Sequence, residues 1–435
     1  MALQRLAFRL RNSVWFVPGL WVIGAGCLAF LATWIDSMTP VIGRDLPLVF
    51  GGGPDGARSV LSSIAGSTIT VAGVTFSITI VALQLASSQF SPRVLRDFMR
   101  DRLSQSVLGS FIGAFFYSLL VLRSIRSADE SGAEFVPAIA VTLAIVLAVL
   151  AVAMLIYFIH HISTRIQVSS IVAGIAHATE RAIERERDGD GSSPDPNAER
   201  APTLSHAGVP DADPGLVPAA ETGYLQLLDR RGITSVADEL DLVVRLELTP
   251  GDWAQEGAPL FAVWPAAAAS VDLARRLNEH ATIGAERSLE QDPAFGLRQL
   301  VDVAVKALSP GINDPTTARD CIGRVTQVLA ARGRAGEPPR HGAGRAGRLR
   351  LVVRTRAFAE LVNLGFNELR HYGAATPEVA IALASALRTL RSVVPAGHRP
   401  PVDEQLERLR QAAGATLPAG ERPRVLARIA ELAGR

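Results

Sequence analysis

Over its first 165 residues the chain alternates long apolar runs with polar segments, and after that it breaks into short periodic elements. Four of the apolar runs are long enough to cross a ~30 Å hydrocarbon core as helices. They predict spans at about residues 14–35, 60–87, 105–122 and 135–160, inside a transmembrane domain over 1–165. The second run differs from the others. Between Ser59 and Arg93 it is as apolar as a span, yet crowded with hydroxyls. At heptad spacing Ser63, Ser67, Thr70, Val74, Ser77, Val81, Gln84 and Ser88 fall on one side, with Thr68, Ala72, Thr75 and Thr79 beside them. Ile64, Ile69, Phe76, Ile78, Ile80 and Leu83 take the opposite side. A helix that meets only lipid has no use for a polar stripe, so this side is expected to face protein or water. Two readings stay open. One is a close helix-packing seam of small and hydroxylated residues. The other is the wall of a wet path. Pro92 should end the helix near the membrane surface. Arg93 and Arg96 would then stand at the inner mouth of a path, and they suit anchoring to lipid headgroups equally well. The third run carries Gly109 and Gly113, a small-xxx-small pattern that points to close helix contact. No charged residue falls within the expected spans, which argues against a proton relay.

The second half reads as α+β. Residues 166–187 continue as a connecting helix, and 188–220 form a flexible linker rich in Gly, Pro, Ser and Asp. A small β-rich unit is expected over 221–266, with a strand at Tyr224–Leu228, a short helix near Ile233–Leu240 and an alternating strand at Leu242–Leu248. Turn signals at Pro250-Gly251-Asp252 and Glu256-Gly257-Ala258-Pro259 bracket further short strands. This spacing resembles the barrel-sandwich fold of biotinyl and lipoyl carrier domains. No lysine stands at the turn tip, so no attached cofactor is expected. Residues 267–435 read as helical, with a mobile loop at about 331–347. Asp292 before Pro293, and Asp314 before Pro315, are N-cap signals for two helices joined through an Asn313-Asp314 turn. A sharper reading gathers Glu286, Arg287, Asp292, Asp302, Asn313 and Asp314 into a polar site for a hard cation. Their spacing matches no known metal loop, and capping accounts for two of the acids. Further helices are expected at about 357–372, at 377–393 behind Thr376, at 402–413 and at 421–434, with His371 and His398 on the surface. The fold class is therefore membrane α-helical with four transmembrane helices, plus a cytosolic α+β domain containing a small β-barrel-like unit and helical hairpins.

Composition narrows the partners. The chain has 435 residues, 48% of them hydrophobic, and the mean hydropathy is +0.24, which suits a part-membrane protein. The net charge of +2 calls for no nucleic-acid partner. Cys27 and Cys321 lie in unlike segments, so neither a disulfide framework nor a cysteine metal site is expected. Arginines cluster before the first span, after the second and after the fourth, while the opposite loops carry fewer. That bias places both termini in the cytoplasm and the protein in the bacterial cytoplasmic (inner) membrane. The phosphate-loop, nucleophile-elbow and HExxH patterns are missing, so no enzyme activity is expected.

Three runs, VAGVTFSITIVALQLASSQFSPR, QDPAFGLRQLVDVA and ALSPGINDPTTA, resemble the bacterial predicted membrane proteins of unknown function grouped as domain family 2254. The likeness covers most of residues 15–330. It implies an integral membrane protein with a cytosolic domain, and it implies no activity. The expected function is an oligomeric channel or transporter for a small ion, with a hydroxyl-lined second span and a cytosolic regulatory domain. The alternative is a membrane-anchored scaffold or sensor without flux. One copy offers four spans and one stripe, too few to enclose a pore, so the channel reading needs a homo-oligomer. The bilayer is the other expected partner, and no protein partner can be named.

Overall fold

A computed structural model describes residues 16–38, 49–89, 102–126, 135–165, 167–188, 212–344 and 347–434. The chain forms two compact units, residues 1–167 and 168–435.

Among the described residues the first unit contains four helices: α1 (Phe16–Met38), α2 (Pro54–Gln89), α3 (Arg102–Ser124) and α4 (Ala138–Arg165). Each is long and apolar enough to cross a membrane. The hub is α3, which packs against the other three helices. Of its most apolar stretch 56% is buried, against 22% in each of the others. Small residues make this position possible. A Cβ on Gly109 would lie 2.6 Å from the Trp21 ring, and one on Gly113 would lie 3.4 Å from the Trp21 carbonyl. The small-xxx-small pattern therefore marks the α1–α3 crossing. Alanines from three helices, including Ala29, Ala32, Ala57, Ala140 and Ala144, close around Tyr117 and Val121 of α3. Ala72, Ala151 and Phe158 meet Val107 and Phe111 further along it.

One end of this bundle is tied by polar contacts. Asp36 accepts hydrogen bonds from the Ile139 amide at 3.0 Å and the Ala140 amide at 2.9 Å. It thereby serves orphan N–H groups in the first turn of α4. The Tyr117 hydroxyl donates to the Ala140 carbonyl, and the Phe50 amide donates to Thr142 Oγ1. The expected first span stopped at residue 35. The helix continues to Met38 and carries a buried carboxylate, Asp36, one residue beyond that bound.

The second unit opens with α5 (Val168–Asp188). Its β-rich part joins β1 (Gly215–Pro218), β2 (Gly223–Leu228), β3 (Val243–Leu246), β4 (Trp253–Ala254), β5 (Pro259–Trp264), β6 (Ala281–Gly284), β7 (His341–Ala343) and β8 (Leu349–Val352). The strand order is β1-β5-β3-β8-β7 in one sheet and β4-β2-β6 in the other. Pairing is antiparallel except for β3 with β8. Helices α6 (Arg230–Glu239) and α7 (Val271–Asn278) pack Ile233, Val236, Leu273 and Leu277 into the same core as Leu225, Val244 and Phe261. Among the described residues there are two open sheets and no closed barrel, so the carrier-like barrel is not found.

Two boundaries also shift. Gly215–Pro218 lies in the expected linker yet pairs with β5, Val217 opposite Phe261. Much of the expected loop at 331–347 is ordered structure, because the preceding helix runs to Ala335 and β7 pairs with β8. The sheets thus draw on residues well outside 221–266. Arg350 on β8 fastens that return: it donates to Asp238 at 2.9 Å, to Asp241 at 2.5 Å and to the Leu242 carbonyl.

The helical part contains α8 (Pro293–Ala307), α9 (Pro315–Ala335), α10 (Phe358–Gly373), α11 (Pro377–Val393), α12 (Arg399–Thr416) and α13 (Arg422–Leu432). Both expected caps are present. Asp292 accepts from the Phe295 amide at 3.1 Å, and Asp314 accepts from the Thr317 amide at 3.0 Å. Thr376 precedes α11 but makes no side-chain cap bond. Helix α5 lies on α8 and α9. Gly296 permits that approach, since a Cβ there would sit 1.8 Å from Thr179 Oγ1.

Candidate functional site

The hydroxyl-rich helix α2 has 36 residues and is about 54 Å long. Four of its hydroxyls bond within the helix. Thr68 donates to the Ile64 carbonyl at 2.7 Å, Thr70 to Gly66 at 2.8 Å, Ser77 to Gly73 at 3.0 Å and Thr79 to Thr75 at 2.8 Å. Such back-bonding satisfies a hydroxyl without water, so it can face lipid or another helix.

Burial divides the helix into two rows. Ala57, Leu61, Ala65, Thr68, Ala72 and Thr75 recur every three or four residues and are buried, Thr68 at 6% and Thr75 at 3% exposure. This is the row that packs inside the chain. Ser63, Ser67, Thr70, Ser77 and Gln84 are exposed. Gly66 and Gly73 beside them have open space where a Cβ would stand. The expected stripe is therefore not the seam within one chain; it is an outward face of small and hydroxylated residues in which Val74 and Val81 are exposed as well. The physical reason is volume. The inner row needs alanines to approach α3, and the stripe one step round the helix has no neighbour among the described residues at Gly66 and Gly73. The side chain of Ser88, and both Arg93 and Arg96, lie outside the described residues.

The second predicted constellation does not come together. Asp292 is 2% exposed, and its Oδ2 accepts Arg287 Nε at 2.8 Å and Nη2 at 2.6 Å. Asp302 accepts from Arg298, which also reaches Glu368 on α10. Asp314 is engaged by Thr317, whose hydroxyl donates to it at 2.6 Å. Those bonds hold the Asp314 carboxyl below its ordinary range. Asn313 is exposed, with a left-handed φ of 49° that Asn tolerates at the turn. Glu286 is exposed, and its backbone carbonyl accepts from Gln226. Each acid serves a different local partner. Among the described residues no three His, Cys, Asp or Glu side chains are grouped to hold a metal.

A cluster missed in the sequence reading lies where α5 meets the end of α9. Arg332 is 2% exposed, with Nη1 3.7 Å from Glu186 and Nη2 3.8 Å from Glu337. It also donates to the carbonyls of Gly336 and Arg356. Burial pushes the Glu186 carboxyl up, against the pull of Arg332. His398, expected on the surface, stacks on Phe358 with centroids 4.5 Å apart and lies 3.6 Å from Glu337. Burial drives the Cys321 thiol up to about 12, which keeps it in the thiol form at neutral pH. Cys27 is exposed, and both cysteines are free.

Comparison with known proteins points the same way as the four apolar helices. The signature of a family described as "Predicted membrane protein (DUF2254)" matches residues 11–389. An uncharacterized protein of Mycobacterium bovis is 36% identical over 389 residues, which are 87% of this chain and 71% of the relative. An uncharacterized protein of Mycobacterium tuberculosis shows the same identity and coverage. No solved structure matches.

Proposed function

This chain belongs to the DUF2254 family of predicted membrane proteins, and from that premise we propose that it works as a homo-oligomer of the bacterial inner membrane, with the hydroxyl face of α2 turned toward its copies around a path for a small ion. One observation carries the reading: Ser63, Ser67, Thr70 and Ser77 are exposed on a single chain, with open space at Gly66 and Gly73. Helices in lipid associate through packing and interhelical hydrogen bonds, and small residues permit both. An outward face of this kind fits a helix from another copy better than it fits lipid tails. The arginine asymmetry supports cytoplasmic termini, which makes the second unit a cytosolic regulatory domain. We assign it no catalytic role; Asp292, Asp302 and Asp314 serve caps and ion pairs.

A second reading, a membrane-anchored scaffold or sensor without flux, draws on the back-bonded hydroxyls, which need no water. Reconstitution separates the two. Purified protein and a Ser77→Leu variant are placed in liposomes, ion flux is recorded, and the mass in mild detergent is measured. Flux from an oligomeric wild type that falls in the variant supports the channel. An oligomer without flux under any ion or voltage assigns the face to assembly alone. A strict monomer removes both the path and the assembly.

A further inference from the structure

We propose that a groove between α1, α3 and α4 seats an acyl chain of a bilayer lipid. The groove encloses about 280 Å³ and is lined by residues of those three helices. Its lining on α1 runs from Val17 to Leu28, about 16 Å along the axis. That is an elongated slot rather than a compact pocket.

Its origin is the pattern of side-chain sizes. Gly24 and Ala25 on α1, with Gly113 and Ala114 on α3, bring small residues to a place flanked by Trp21, Leu28 and Leu147. A Cβ on Gly24 would meet nothing within 4 Å. The small residues that let α1 approach α3 thus leave a hollow beside the contact. Protein interiors do not tolerate hollows cheaply, because the lining atoms lose their dispersion partners. In a bilayer the filler at hand is hydrocarbon.

The chemistry of the lining agrees. Of its side chains only those of Ser110 and Trp21 bear a polar atom, and Ser110 Oγ already donates to the Val107 carbonyl at 2.8 Å. A polar ligand would expect several convergent polar groups. Leu150, part of the lining, is 44% exposed and continues into the exposed aliphatic surface of Val146 and Val149 on α4. The slot therefore opens onto the kind of surface that meets lipid tails. The face suited to a second copy is the exposed hydroxyl stripe of α2, which takes no part in the slot.

The test uses the full chain in mild detergent, washed extensively, with bound phospholipid counted per chain by mass spectrometry. Gly24→Leu starts a bulky side chain from a point on the slot lining where a Cβ meets nothing within 4 Å, whereas Gly19→Leu, equally open at its Cβ but outside the lining, is the control. The expected result is lipid retained by the wild type and Gly19→Leu and lost several-fold in Gly24→Leu, with a melting temperature at least equal to that of the wild type. Equal retention in all three, or no lipid in the wild type, overturns the proposal. So does a Gly24→Leu protein whose oligomer mass falls while its lipid does not, which would give the slot to another copy. If Gly24→Leu does not fold, brominated-chain phospholipid added to wild type and Trp21→Phe decides. Quenching that persists after washing and falls by the Trp21 share in Trp21→Phe, leaving that of Trp34, supports the assignment, and quenching unchanged by the substitution refutes it.

Discussion

Asp36, Glu186 and Arg332 share one feature that the chain displays openly. Each continues an apolar row at helical spacing: Ala25, Ala29, Ala32, Asp36 on α1; Val172, Ile175, Thr179, Ala182, Glu186 on α5; Cys321, Val325, Val328, Arg332 on α9. A charge on a core face is buried with its helix and must find a partner there. Asp36 finds the free amides of α4. Asp36→Ala should therefore lower stability by about 1–2 kcal/mol, read as a reduced melting temperature in detergent, with Asp36→Asn costing less because one acceptor remains. Arg332→Ala removes the nearest cation from Glu186, leaving the weaker pull of Arg230, and should cost about 3 kcal/mol. Arg332→Met keeps the packing of the stem and should cost less. Asp314 tests the caps through pH. Its folded form favours the charged state, so its contribution is complete above the ordinary value of 3.8 and is lost as pH falls through the lower folded value. Asp314→Asn should flatten that acid limb in a denaturation series, with a loss of about 1 kcal/mol at neutral pH.

At the scale of elements, α2 and α3 exchange the roles their sequences suggest. The conspicuous helix is α2, with its hydroxyl stripe, yet the hub is α3, whose glycines admit Trp21 and whose Tyr117 and Phe111 are the large residues between the other helices. Periodicity shows that a helix has two kinds of side. Which side meets a neighbour depends on partners far along the chain. Paired substitutions expose the difference. Gly109→Val would drive a side chain into the Trp21 ring and should cost about 1–3 kcal/mol by overpacking, seen as a lowered melting temperature. Gly73→Val, in open space on α2, should leave the single chain's stability nearly unchanged and act only on its association, measured by mass in detergent. The strand β1 shows the limit of local reading on the other side. With Leu216 exposed, only Val217 is a buried apolar residue between its glycine and proline, too little for a periodic signal, and its order comes from the ladder with β5.

For the whole molecule, the division into two units matches the change in pattern after residue 165. The second unit has its own core in the sheets, from Val217 to Val353, and its helices pack on one another. A domain with an internal core folds alone. The fragment from Val168 to Arg435 should be soluble and melt cooperatively by circular dichroism; a non-cooperative, aggregating fragment would contradict the division.

What the sequence determined by itself was whatever depends on residues a few positions apart. Four apolar lengths, the caps at Asp292 and Asp314, the Asn313 turn and the helices of the C-terminal half all rest on contacts between i and i+4 or on residue-level backbone preference, so local spacing sufficed. The tertiary structure alone decided the rest. It turned the hydroxyl stripe of α2 outward, left the six polar residues ungathered apart from the Arg287–Asp292 pair, and left the sheets open with strands returning from residue 341 and beyond. It also buried the charges at the ends of apolar rows. Each of these outcomes depends on which distant surfaces meet, and that is set by side-chain volume and pairing across the fold, which no short window of sequence contains.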